Sequence, residues 1–229
     1  MRNGSLELSM LDKFTLLALD DERGAFVMEA TMYHYGMAGA VLYDLLSKGH
    51  INIEDKKVKL LSTEKLGDEV LDYCMEFISK SKKERSLQYW LGYIAHRFNA
   101  IKKLVLKKLT AQGILREQEG KVLWIFNTTK YPTRNPMPEN TIRRRLHDIV
   151  VNQVEPDLDE IMLVSLVNSS NLNKEVYGKD IAKAKAKEIK RLVKEYVYPT
   201  EMGKILKQQQ DMINALVVTS ITSVVIVTP

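Results

Sequence analysis

Residues Gly36 to Leu61, GMAGAVLYDLLSKGHINIEDKKVKLL, decide how the rest of the chain is read. Ala40, Val41, Leu42, Leu45 and Leu46 recur at helical spacing, and Gly49 can take the left-handed backbone that ends a helix. Ile51 and Ile53 then alternate with polar residues, as Val58 and Leu60 do with Lys57 and Lys59, around the polar turn Glu54-Asp55-Lys56. The pattern is a helix, a glycine stop and a two-stranded wing. It returns 64 residues later, with Gly113 in place of Gly49. There Leu104 to Leu109 supplies the helix, Glu119-Gly120-Lys121 the expected turn, and Val122 to Phe126 the following strand. Two helix–wing units surrounded by further helices predict a mainly α fold, a single helical domain with two β-hairpin wings.

The chain is 229 residues long with 45% apolar and 28% charged residues, ordinary for a globular protein able to bury a core. Expected organisation is a short arm over residues 1–10 and one helical domain over 11–229. Three prolines within seven residues, Pro132, Pro136 and Pro138, mark 127–138 as an ordered connection and a possible subdomain boundary. A net charge of +5 and a pI near 9.1 suit anionic partners without identifying them. Cys74 is the single cysteine, which fits a reducing compartment and a buried apolar role. The opening MRNGSLELSM has no apolar secretory stretch, and Met212–Pro229 carries no charge but falls short of the roughly 20 apolar residues that span a bilayer. A cytoplasmic protein is expected, with its C-terminal run as a buried final element.

Along the chain, Leu11–Leu19 reads as an apolar helix that stops at the acidic turn Asp20–Glu22, closed by Gly24. Val70, Leu71, Cys74, Phe77 and Ile78 mark another helix. Ser86 to Leu109 reads as one long helical region, with Phe98, Ile101, Val105 and Leu109 on one face and Lys102, Lys103, Lys107 and Lys108 largely off it. Helices are expected over 141–154, 157–167 and 181–197, the first bearing Arg143 to Arg145 and the last a run of lysines.

No catalytic motif is present: no glycine-rich phosphate loop, no His-Glu-x-x-His, no CxxC and no nucleophile elbow. His34, His50, His96 and His147 are scattered. No enzyme activity, cofactor or metal is expected, and an enzyme built around Asp20, Asp21, Glu22 and Glu29 is the weakest of the alternatives. The basic runs are the functional signal: each basic residue at an anionic bilayer contributes about 1 kcal/mol, so four to six together can hold a protein reversibly.

Four stretches carry a resemblance to a known family: LLALDDERGAF (residues 16–26), GMAGAVLYDLLSKGHINI (36–53), KKLTAQGIL (107–115) and WIFNTTKYP (124–132). Weaker similarity continues through IRRRLHDIV (142–150) and VSLVNSSNL (164–172). In this order they resemble the Golgi phosphoprotein 3 family over nearly the whole chain from Leu11. The resemblance implies a non-enzymatic peripheral membrane adaptor that holds the headgroup of phosphatidylinositol 4-phosphate and engages the tails of membrane proteins. In relatives the headgroup pocket is one tryptophan and three arginines, and an apolar hairpin tip enters the lipid. Those positions fall here on Glu29, Ala38, Asn99 and Lys102, with Lys103 beside them and Arg97 within reach of a small register shift. A glutamate repels a phosphate and the bidentate arginine contacts are replaced, so the expectation is for anionic headgroups in general. Val122, Leu123 and Trp124 are expected on a strand of the second hairpin, against a membrane, the domain or a second protomer. The alternative is a winged-helix nucleic-acid binder. It is disfavoured because Ala40–Lys48 offers few polar groups for reading bases, and Ile101–Gln112 has four lysines but no arginine.

Overall fold

The computed structural model describes residues 7–27, 30–122, 126–197 and 203. Helix α1 (Met10–Leu17) lies at the centre. Ser9 caps it, with the Ser9 hydroxyl and the Asp12 carboxylate each accepting from the other's backbone N–H. Met10, Leu11, Phe14, Leu16 and Leu17 are all buried, so this helix has no solvent face. Helix α2 (Ala30–Ser47) packs along it, and every residue from Met37 to Leu45 is buried. Gly36 permits that approach: a Cβ there would stand 2.3 Å from Phe14 Cζ and 2.7 Å from Ser170 Oγ. Asp44, buried in α2, accepts from the backbone N–H of Met10 (2.8 Å) and Leu11 (3.1 Å), satisfying donors that the first turn of α1 leaves open. Burial raises the Asp44 carboxyl to about 7 against these two amides, which pull the other way.

The first wing follows as read. Strands β1 (Ile51–Glu54) and β2 (Lys57–Leu60) pair antiparallel from Ile51↔Leu60 to Glu54↔Lys57. Asp55 and Lys56 both have positive φ, the geometry of a two-residue turn whose twist matches the strands. A third short strand, β3 (Arg85–Ser86), adds to β2, and no periodicity announces it. Helix α3 (Glu69–Ser79) is capped by Asp68. The long helical region then divides into α4 (Leu87–His96) and α5 (Phe98–Ala111), because Arg97 at φ −95° and ψ 16° interrupts the helix.

The second wing differs from its expected register. Strands β4 (Gln118–Val122) and β5 (Phe126–Lys130) pair from Gln118↔Lys130 to Val122↔Phe126. Glu119-Gly120-Lys121 is therefore strand and not turn, with Gly120 opposite Thr128 and Lys121 opposite Asn127. Val122 ends β4, and Leu123 and Trp124 fall outside the described residues. Ladder pairing overrode the local turn signal of Glu-Gly-Lys.

Helix α6 (Met137–Val151) begins earlier than its sequence suggests, with a proline in its first turn, where the missing N–H costs nothing. Helix α7 (Leu158–Ser169) has an Asp157/Glu160 capping box and is buried over most of its surface. After a short α8 (Asn173–Tyr177), the basic helix expected over 181–197 is broken into α9 (Lys179–Ala184), α10 (Ala186–Leu192) and a π-helical turn over Val193–Val197. One hydrophobic core joins α1 to α7 with Ile189, Leu192 and Val193, so apolar residues on both sides of 127–138 belong to it. Within that core edge, the Lys108 ammonium bridges Asp12 and Asp68 at 2.5 Å each. Among the described residues no helix is long and apolar enough to cross a membrane.

Candidate functional site

The side chains singled out from the sequence divide among three environments. Ala38 is fully buried, so its methyl packs in the core of α2 and meets no external headgroup. Glu29 falls outside the described residues. Arg97, at the α4–α5 break, lays its guanidinium 3.7 Å from the centroid of Tyr93 and 4.6 Å from that of Phe77. Lys102 lies half-buried on another side of the molecule, with its ammonium 5.2 Å from the Phe26 ring centroid. Arg97 stands at the helix break and faces the Tyr93 and Phe77 rings, whereas Lys102 of α5 faces Phe26.

What surrounds Lys102 is a small aromatic and basic junction between α2 and α5. Phe98 sits one turn before Lys102 and stacks on His34 of α2, with centroids 3.5 Å apart and planes 21° apart. Phe26 in turn packs on Tyr33. Burial and then the nearby Lys102 charge push the His34 imidazole below its ordinary value. Asn99 and Lys103, four residues apart, lie exposed together on the adjoining side of α5. Neither Lys102 nor Lys103 forms an ion pair among the described residues. The sequence named the lysines and Asn99 but missed His34 and Phe26. Only the i, i+4 spacing of Phe98 and Lys102 hinted at a shared face.

Several other basic residues, including half of the α5 lysines, are neutralised where they stand. Lys107 pairs with Glu69 at 3.1 Å, and Lys108 with Asp12 and Asp68. Arg143 pairs with Glu139 (2.7 Å) and Glu175 (3.5 Å), Arg145 with Glu160 (2.6 Å), and Arg191 with Glu188 and Glu195. The four-lysine run of α5 thus splits into a structural half and an unpaired half.

The acidic turn serves the fold. Asp20 accepts from the N–H of Glu22 and Arg23, and Asp21 holds both the backbone N–H and the hydroxyl of Thr133. Gly24, at φ +59°, presses against the Tyr131–Pro132 backbone. Among the described residues no group of three or more His, Cys, Asp or Glu could hold a metal ion. The burial of Met37 to Leu45 also leaves that stretch of α2 no face for a nucleic-acid groove.

The described residues form a helical body with hairpins after α2 and α5 and with Lys102 beside the contact of His34 and Phe98, where those two helices meet. The chain belongs to the Golgi phosphoprotein 3 (GPP34) family, whose model matches residues 10–210. It is similar to vacuolar protein sorting-associated protein 74 of Eremothecium gossypii, at 19% identity over 165 residues. The match covers 63% of this chain and spans about half, 49%, of that relative's length.

Proposed function

We propose that the protein is a non-catalytic peripheral membrane adaptor that holds anionic lipid headgroups, of the phosphatidylinositol 4-phosphate kind, at the α2–α5 junction. Lys102 and Lys103 supply the charge, and Asn99 is a neutral hydrogen-bonding neighbour. The observation that carries this reading is that these two lysines have no carboxylate partner among the described residues, whereas Lys107 and Lys108 of the same helix do. Family membership supports the adaptor role.

Two lysines at an anionic surface contribute about 2 kcal/mol together, a salt-sensitive share of the attachment that further contacts must complete. Lysine is a point charge without the planar fork of arginine, so headgroup charge matters here more than headgroup shape. The second hairpin would supply an additional contact. Its strands meet at Val122 and Phe126, and the Leu-Trp-Ile sequence between them is apolar and suited to lipid or to a second protomer. On this reading the protein works at the cytoplasmic face of a membrane, where tails of membrane proteins are its natural cargo.

Liposome flotation tests the proposal. Vesicles containing phosphatidylinositol 4-phosphate or phosphatidylserine should carry the protein upward, neutral phosphatidylcholine should not, and Lys102→Glu with Lys103→Glu should abolish flotation. Equal behaviour on neutral and anionic vesicles would end the proposal.

A further inference from the structure

Arg85, Tyr89, Tyr93 and Arg97 recur every four residues and form one continuous stack along α4. Arg85 lies 5.0 Å from the Tyr89 centroid. Tyr89 and Tyr93 stack with centroids 5.7 Å apart and planes 21° apart. Arg97 closes the far end at 3.7 Å from Tyr93. Phe77 of α3 backs the row, 5.4 Å from Tyr93, and Tyr89 is 41% exposed. Neither arginine has a carboxylate partner among the described residues. The segment that carries the row is basic: between residues 80 and 97, Lys80, Lys82, Lys83, Arg85 and Arg97 stand against Glu84, a net +4 in a chain of net +5, although Lys80 pairs with Glu76 of α3.

A guanidinium stacked by its face on a ring keeps its edge N–H groups for an acceptor and has already lost much of the freedom that binding would remove. Two such groups at fixed ends of an aromatic row define a spacing, at most about 14 Å between the guanidiniums from the successive ring distances. Aromatic rows accommodate extended, proline-containing segments, and a polyproline II chain rises about 3.1 Å per residue. About four to five residues of such a chain therefore join one arginine to the other.

We propose that this α4 face is a docking surface for an extended acidic peptide segment, with carboxylates about four to five residues apart engaging Arg85 and Arg97 and the intervening residues lying on Tyr89 and Tyr93. The partner is a protein tail in preference to a bilayer. Fixed spacing confers nothing on laterally mobile lipids. The site is separate from the Lys102 junction.

The test is fluorescence anisotropy of the full chain with a labelled peptide in which two Asp-Glu pairs flank four prolines. Saturable, salt-sensitive binding is expected. Arg85→Gln and Arg97→Gln should each weaken it about tenfold, the size of one charge-assisted contact. Tyr89→Ala should weaken it similarly, while Tyr89→Phe should retain it. Lys102→Glu with Lys103→Glu should leave it unchanged, which separates this result from headgroup binding. Absence of binding at about 1 mM peptide, a weak-affinity ceiling, would overturn the proposal. So would equal binding of the same peptide with lysines for its acids, insensitivity to Arg85→Gln, or an Arg85-dependent interaction with anionic vesicles only. Circular dichroism of each variant confirms that the fold is retained, and Arg85, being exposed, provides a variant that spares the core.

Discussion

Replacing Lys108 with methionine should be among the most damaging single changes to this protein. The ammonium lies 2.5 Å from both Asp12 and Asp68, and the Asp12 side chain is only 1% exposed. Burial alone would lower the lysine's affinity for its proton, yet the two carboxylates overcome it and hold Lys108 above its ordinary value. Methionine preserves the apolar stem and removes the charge. Asp68 still caps α3 through the amides of Val70 and Leu71, but Asp12 keeps only the Ser9 amide, and its second oxygen already has no partner. Breaking a buried pair from one side costs about 3–5 kcal/mol. At about 2–4 °C per kcal/mol for a domain of this size, melting should fall by roughly 6–20 °C. Urea unfolding and calorimetry of Lys108→Met measure this directly. Adding Asp12→Asn removes the stranded charge and should return part of the loss. A single-variant loss below about 1 kcal/mol, the range of exposed pairs, would refute the reasoning that this triad is desolvated.

Gly24→Ala combines a left-handed backbone costing about 1–2 kcal/mol with a Cβ 2.3 Å from the Tyr131 and Pro132 backbone, whereas Gly49→Ala at φ +72° meets nothing within 4 Å. Chemical unfolding should therefore show Gly24→Ala clearly worse than Gly49→Ala; equal losses would mean that the close approach is unimportant. Glu139 is buried, and burial followed by the neighbouring Asp21 raises its carboxyl to about 7, with Arg143 opposing. A raised acid makes the folded state hold a proton the unfolded chain has released. The Glu139 contribution to stability thus declines as pH climbs from about 4.5 to about 7, by up to about 1.4 kcal/mol per unit, and is level above. Stability of the wild type relative to Glu139→Gln, followed across that window, should show this slope; a flat difference contradicts it. Gly36→Ala should disturb the contact of α1, α2 and α7, with loss of near-ultraviolet dichroism from Phe14 and its neighbour Tyr33.

The helical body and both glycine stops were legible because their determinants are local. Gly49 and Gly113 have the positive φ that their positions after a helix demand, and Asp55-Lys56 forms the turn its polarity suggests. Errors arose where long-range pairing decides. Glu119-Gly120-Lys121 has turn composition yet pairs along β5, and Arg97 breaks a helix that its apolar periodicity would continue. The candidate site was half legible. Counting lysines on α5 found Lys102 and Lys103 but could not foresee that Asp12 and Asp68, from 96 and 40 residues away, would claim Lys108. Nor could alignment alone place Arg97 on the α4 aromatic row or His34 against Phe98.

The central claim is that an anionic headgroup binds beside Lys102, and His34 is a built-in reporter of it. Its imidazole is held low by burial and by the Lys102 charge, so a phosphate that neutralises Lys102 must raise it. Proton NMR titration of the His34 ring, with and without soluble inositol 1,4-bisphosphate, reads this at one residue. The account predicts an upward shift on adding the headgroup, lost in Lys102→Gln. A His34 titration unmoved by saturating headgroup, or one moved equally in Lys102→Gln, would contradict it.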